Sequence, residues 1–236
     1  ALLSFFMNGV MVKRSGINRK KPVTLTIEIT SDFICPWCLV VDKRLNRAIE
    51  QLKAPAKIKR LWYPFELNPT MPEAGMDRKT YRSNKFGSWE YSQALDAQTM
   101  QAAAHDGIEF RYDLIQVTPN TLKAHRLSWF AELEGKATEM VERILNAYFT
   151  QGQDITDVET LVKLAAEVGL DADKVRAFLN STEGIEEVKA LEKQAASRNI
   201  RGVPSIKIGP ETIVGAQSVD VFLTALQAAV NEPEVA

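Results

Sequence analysis

Polar and apolar residues alternate through TLTIEIT (24–30), with β-branched side chains prominent, and this two-residue period predicts a strand. Beyond it, Val41, Leu45, Ala48, Ile49 and Leu52 recur at helical spacing, which predicts a helix from Pro36 to about Lys53, with Pro55 after its end. KIKRLWYPFELNP (57–69) contains a second strand closed by Pro64 and Pro69. A strand–helix–strand unit of this kind implies a right-handed crossover in a mostly parallel sheet. From Asn68 to about Gly184 the period becomes helical and no convincing strand is found. Thr118-Pro119 reads as the start of a helix carrying Leu122, Leu127 and Ala131 on one stripe, followed by one with Val141, Ile144, Leu145 and Tyr148. Thr156 and Glu159 have the spacing of a capping box ahead of Leu161, Leu164, Ala165 and Val168, and a short helix follows Asp171. IEEVKALEKQAASRNI is helical again. VPSIKI and TIVGA then flank Gly209-Pro210 as a hairpin, and DVFLTALQAAV is a last amphipathic helix.

Neither β-rich half could close a sheet alone, so the order predicts one interrupted α/β domain rather than two tandem ones. Residues 23–67 and 185–231 form the sheet domain, and 68–184 form an all-helical insertion. Residues 1–22 stand apart as an N-terminal extension: ALLSFFMNGVMV is apolar and the basic KRSGINRKK follows it. A secretory signal has the opposite order, so the cytoplasm is the expected compartment. Leu2, Leu3, Phe5 and Phe6 are candidates to dock in an apolar groove.

Composition narrows the function classes. Lys and Arg number 29 against 30 Asp and Glu, and the hydrophobic share of 45% is that of an ordinary globular protein. Nothing in this balance suggests nucleic acid, and no stretch is apolar enough to span a membrane. A homodimer with two-fold symmetry is the default assembly.

The chemistry concentrates in SDFICPWCLV (31–40), which holds both cysteines of the chain. Cys35 falls where the first strand gives way to the helix, and Pro36 suits the first helical position, where its missing N–H costs nothing. The free N–H groups and positive end of the helix dipole then face the Cys35 sulfur and favour its thiolate. Such placement can lower a thiol pKa from about 8.5 to roughly 3.5–7.5. Cys38 lies one turn on, within the Cα separation of about 4.4–6.8 Å that a disulfide tolerates. Cys35 is expected to be the open, attacking sulfur and Cys38 the shielded, resolving one. A zinc site would need a second pair of ligands, yet His105 and His125 lie far off in the helical block. A purely structural disulfide would close too short a loop to stabilise the fold much.

This arrangement resembles the thioredoxin fold, and the helical block is similar to its DsbA-like branch. Within that branch CPWC, the PFELNP strand end and AHRL resemble the FrnE-type proteins, a likeness running from residue 23 to about 230. The resemblance implies a thiol–disulfide oxidoreductase acting on protein or peptide thiols and disulfides, with no metal or organic cofactor. It makes Pro204, within GVPSI, a cis-proline beside the dithiol that holds the Val203 backbone open to an extended substrate. Related enzymes often bury an acid six residues before the first cysteine. Here that slot is Ile29, with Glu28 beside it, so a carboxylate relay is not expected. Kappa-class glutathione transferases and chromene-carboxylate isomerases share the fold but use serine at the first cysteine. Cys35 argues against those activities; a glutathione-dependent isomerase or transferase using the same groove is the alternative, with glutathione as a co-substrate. A chaperone-like binding module is the third reading.

Five further residues complete the candidate site. Asp32 is expected to cap its own turn, and its charge opposes a thiolate nearby. Pro36 and Trp37 would touch substrate, Trp37 shielding the disulfide. His125, with Arg126, either lines the cleft between helices and sheet or packs as a buried histidine.

Overall fold

The computed structural model describes residues 23–54 and 56–231. Residues 1–22, and with them the docking expected of Leu2, Leu3, Phe5 and Phe6, lie outside this range. The chain runs from β1 (Val23–Ser31) through α1 (Pro36–Gln51) to β2 (Ala56–Pro64). The helical block follows, with α2 (Arg78–Phe86), α3 (Trp89–Ala102), α4 (Leu122–Leu133), α5 (Ala137–Gln151), α6 (Val158–Glu167) and α7 (Ala172–Leu179). It also holds two short strands, β3 (Met76–Asp77) and β4 (Val117–Thr118). The chain closes with α8 (Ile185–Ser197), β5 (Ser205–Ile208), β6 (Glu211–Val214) and α9 (Val219–Asn231).

The main sheet has the order β2-β1-β5-β6. Only β1 and β2 are parallel, joined across α1; β5 pairs antiparallel with β1, and β6 antiparallel with β5. The expectation of a mostly parallel sheet is corrected for that reason: the last two strands are a hairpin, which reverses direction at Gly209-Pro210. The alternation in β1 does what its period implied. Leu25, Ile27 and Ile29 are buried with Val41, Leu45 and Ala48 of α1 and Phe222 and Leu226 of α9, while Thr24 and Thr26 are exposed. A second apolar cluster fills the helical block, drawing on Leu127, Ile144, Leu145, Leu161 and Leu164. Helix α1 takes part in both. Its middle faces the sheet cluster, whereas Leu39, Val40 and both cysteines at its start belong to the second. The dithiol thus sits at the seam between the two cores.

Three local expectations in the block change. Strands β3 and β4 pair antiparallel, Met76 with Thr118 and Asp77 with Val117, where a strandless block was expected. Two residues are too few to carry a period, so the pattern was silent. Thr118 lies in that ladder and α4 begins only at Leu122, because the Asn120 side chain, not Thr118, accepts from the Leu122 N–H. The cap of α6 is Asp157, which accepts from Thr160 N at 2.8 Å. The Thr156 hydroxyl turns to Asp154 and Glu159 pairs with Arg176, so no capping box forms.

A charged cluster crosses the seam where α1, β2 and α5 meet. Arg60 on β2 lies 3.3 Å from Glu142 of α5 and 3.9 Å from Asp42 of α1. Asp42 is almost fully buried, and burial first, then the Glu142 charge, raises its pKa from 3.8 to about 7 against the pull of Arg60. A carboxyl whose folded pKa lies above its unfolded value favours the folded state while protonated, and ionising it erodes stability as pH rises from about 4 to about 7. Asp42→Asn cannot ionise. Its stability relative to wild type is expected to improve by about 1–3 kcal/mol between pH ~4 and pH ~8, in urea unfolding run at both. An equal difference at the two pH values would show that Asp42 titrates normally.

Candidate active site

Strand β1 ends at Ser31, and the turn Asp32-Phe33-Ile34 delivers Cys35 to the start of α1. The Cys35 N–H donates to the Asp32 carbonyl at 3.2 Å, closing the turn. Cys35 is the N-cap residue of α1, with extended backbone (φ −94°, ψ 109°), and Pro36 follows at the first helical position. Its sulfur therefore stands where a capping oxygen would, facing the free N–H groups of the first turn. The Cys35 thiol is lowered below the ordinary 9.0, chiefly by a hydrogen bond from the Cys38 thiol and further by the N–H groups of Cys38 and Trp37; burial and the Asp32 charge oppose this. Cys38 goes the other way. Burial raises it well above 9.0, and the neighbouring Cys35 sulfur raises it further. The two thiols are split in the sense an attacking and a resolving sulfur require.

Their exposure is not split as expected. Cys35 is 6% exposed and Cys38 4%, so the leading sulfur is covered nearly as well as its partner. The cover is the loop before β5: the Cys35 thiol donates to the Val203 carbonyl at 3.7 Å, and the Val203–Pro204 peptide bond is cis. What distinguishes the two sulfurs is the space they face. Cys35, Pro36 and Trp37 line a groove of about 280 Å³, and Cys38 is not among its walls.

Asp32 is fully buried and makes more than a turn cap. One carboxylate oxygen accepts from the Phe33 N–H and the other from the Leu67 N–H, each at 2.8 Å. The first also lies 3.1 Å from His125 Nε2. A buried carboxylate does stand beside the dithiol, supplied three residues before Cys35 rather than six. At the latter slot Ile29 is in the apolar core, and Glu28 pairs with Arg198 and Lys207.

Of the two readings of His125, the structure shows the buried histidine, and it does not place the side chain at the groove beside Cys35. Its side chain is 4% exposed, packed 4.9 Å from the Phe33 ring and against Asp32, on the interior side of the site. It borders a separate apolar cavity of about 220 Å³, walled by Trp62 and Trp129 among others, and not the groove beside Cys35. The reason is the Asp32 carboxylate, which draws the ring inward. Arg126 lines neither space: its guanidinium donates to the carbonyls of Phe178 and Leu179 at the end of α7 and of Ser181 and Glu183 beyond it. Below the Leu67 N–H, Glu192 accepts from the Glu66 N–H at 2.9 Å, and partial burial with the Glu192 charge raises Glu66 to about 7.

Sequence reasoning missed the far wall of the groove. It is built by α2 and its neighbours, with Arg78, Arg82, Lys85, Tyr81, Tyr112 and Thr118. A signal was present: in RKTYRSNKF the cations at 78, 82 and 85 fall at helical spacing on one face. Among the described residues, no group of three or more His, Cys, Asp or Glu side chains converges as a metal site would require.

A profile of the DSBA-like thioredoxin domain matches residues 26–227. The Bacillus subtilis protein YwbO is 31% identical over 206 residues, spanning 86% of this chain and 96% of its own. The crystal structure of a probable DsbA oxidoreductase from Streptomyces coelicolor superposes with a TM-score of 0.82 at 30% identity, covering 90% of this chain and 92% of that one. The cytosolic disulfide reductase DsbM of Pseudomonas aeruginosa shares the fold at 17% identity and a TM-score of 0.63, over 86% and 98% of the two chains. It has also been solved with glutathione.

Proposed function

Because this chain belongs to the DSBA-like thioredoxin-domain family, we propose that it exchanges disulfides with protein or peptide substrates through Cys35 and Cys38. The observation that carries the reading is the placement of Cys35 as the N-cap residue of α1, facing its free N–H groups, with Cys38 buried one turn behind it, which lowers the first thiol and raises the second. In the reducing direction the Cys35 thiolate attacks one sulfur of a substrate disulfide. A Cys35–substrate bond forms, the substrate S–S bond breaks, and the departing substrate thiolate takes a proton from solvent. Cys38 then gives up its proton and attacks the Cys35 sulfur. The Cys35–Cys38 disulfide forms and the second substrate thiolate leaves, so the substrate gains two electrons and the dithiol loses two. Oxidation of a substrate dithiol is the same path reversed.

The groove beside Cys35 gives the incoming sulfur a place, with Pro36 and Trp37 among its walls and the Val203 carbonyl, before cis-Pro204, against the Cys35 thiol. Trp37 shields the mixed disulfide from water. No metal or organic cofactor enters these steps. In a cytoplasmic setting the thiol pool would keep an accessible pair reduced and favour reductase or isomerase turnover, with glutathione as the returning reductant. The glutathione complex of DsbM, on the same fold, supports that choice of co-substrate.

Titration in glutathione redox buffers, read by thiol alkylation and intact mass, tests the reading. Both cysteines are expected to lose reactivity together at one midpoint, as a two-electron couple does. Cysteines that stay alkylatable at every ratio, or that protect one at a time as glutathione adducts, would remove the dithiol mechanism.

A further inference from the structure

We propose that the groove selects disulfides that carry a carboxylate close to the reacting sulfur, an inference that rests on the exchange reaction proposed above. The wall facing Cys35 holds three cations and one anion. Arg78, 4% exposed, donates to Asp96 at 2.8 Å, and Arg82 donates to the other oxygen of the same carboxylate at 3.0 Å. One carboxylate shared by two guanidinium groups leaves one positive charge over. Lys85, the next cation along that face, has no carboxylate within ion-pair distance among the described residues. It rests instead against Tyr81 and Phe86, 5.5 and 5.7 Å from their ring centres.

The second observation is independent of charge. The Thr118 hydroxyl is buried with no hydrogen-bond partner among the described residues, the buried Tyr112 hydroxyl has only the Thr99 side chain near it and no hydrogen bond of ordinary geometry, and both residues line this groove. Buried polar atoms are almost always paired, so polar side chains with hydrogen-bonding capacity to spare stand in the wall of this groove. Thr118 is held by its pairing with Met76 and Tyr112 by stacking on Phe110 at 5.0 Å, so neither hydroxyl is carried by a loose segment. Surplus guanidinium and ammonium charge binds a carboxylate through charge-assisted hydrogen bonds, and neutral hydroxyls can donate to its remaining lone pairs. Trp37 and Phe149 add apolar lining to the same groove. A small carboxylate thiol and an acidic residue flanking a cysteine in a protein supply the same chemistry.

The reduced full-length protein would be oxidised in turn by dithiodipropionate, hydroxyethyl disulfide and cystamine, which are anionic, neutral and cationic. Each rate is divided by that of mercaptoethanol with the same probe, to remove intrinsic reactivity. The anionic-to-cationic ratio is expected to exceed about tenfold at low salt and to fall as salt is added. In Lys85→Glu, at an exposed position that tolerates the change, that ratio is expected to drop about fivefold or more. In Arg82→Gln it should fall as well. A wild-type ratio near one, or a ratio untouched by Lys85→Glu, overturns the selectivity while leaving disulfide exchange standing. Failure of all three probes to oxidise Cys35 overturns both. Where the ratio holds, competition between oxidised glutathione and an acid-flanked cystine peptide assigns the carboxylate to its source.

Discussion

Cys35→Ser is expected to reduce disulfide exchange to the uncatalysed background, whereas Cys38→Ser is expected to react once and stop as a stable mixed disulfide. The asymmetry follows from which sulfur carries the thiolate. A serine hydroxyl at position 35 has no accessible anion near neutral pH, and the N–H groups of the first turn cannot create one. At position 38 the loss is different. Attack by Cys35 needs no sulfur there, so the first bond forms, and what disappears is the group that would resolve it. Intact mass after exposure to a disulfide substrate reads this directly, as one adduct on Cys38→Ser and none on Cys35→Ser.

A third variant separates resolving from activating. The largest influence lowering Cys35 is the hydrogen bond that its sulfur accepts from Cys38. Cys38→Ala deletes that donor, while the hydroxyl of Cys38→Ser can replace it. The rate–pH profile for adduct formation by Cys38→Ala is therefore expected to move to higher pH than that of Cys38→Ser. Below the midpoint the rate falls about tenfold for each unit moved. Coincident profiles for the two variants would mean that the helix N–H groups alone set the Cys35 acidity.

The sequence made legible whatever had a period or a fixed spacing. Strand β1, helix α1, the closing hairpin and the two cysteines could be read because burial on one face forces apolar residues to recur, and because a cysteine pair three apart has few uses. The interrupted domain was readable from the order of those periods. What escaped were arrangements made by distant segments meeting. Asp32 could be assigned to its own turn, since Phe33 is adjacent, but nothing local announced Leu67 or His125, 35 and 93 residues away. The cover on Cys35 comes from Val203, 168 residues on, and no pattern around the cysteines could reveal it. The basic face of α2 was visible as a run of Arg and Lys, yet only the fold says that it looks at sulfur and not at solvent.

Asp32→Ala is expected to be the most destabilising single change in the site outside the apolar cores. Its carboxylate is fully buried and is the acceptor for two backbone N–H groups and the contact of His125 Nε2. Deleting it leaves the Phe33 and Leu67 amides buried without partners, and each orphaned donor costs about 1–3 kcal/mol. With the lost contact to His125 the total is expected at about 3–6 kcal/mol in urea unfolding of the reduced protein. Asp32→Asn keeps the shape and one acceptor oxygen, so it should cost less than half as much. The two changes share one further effect of known sign. The Asp32 charge raises both thiols, so removing it lowers both, and the reduced form of the pair gains stability relative to the disulfide. Asp32→Asn is accordingly expected to give a less negative potential than wild type in the same glutathione titration, about 30 mV for each 1.4 kcal/mol of thiolate stabilisation gained. A variant that unfolds like wild type would mean that the turn finds other acceptors, and one with a more negative potential would mean that Asp32 acts on the thiols through the position of His125 and not through its charge.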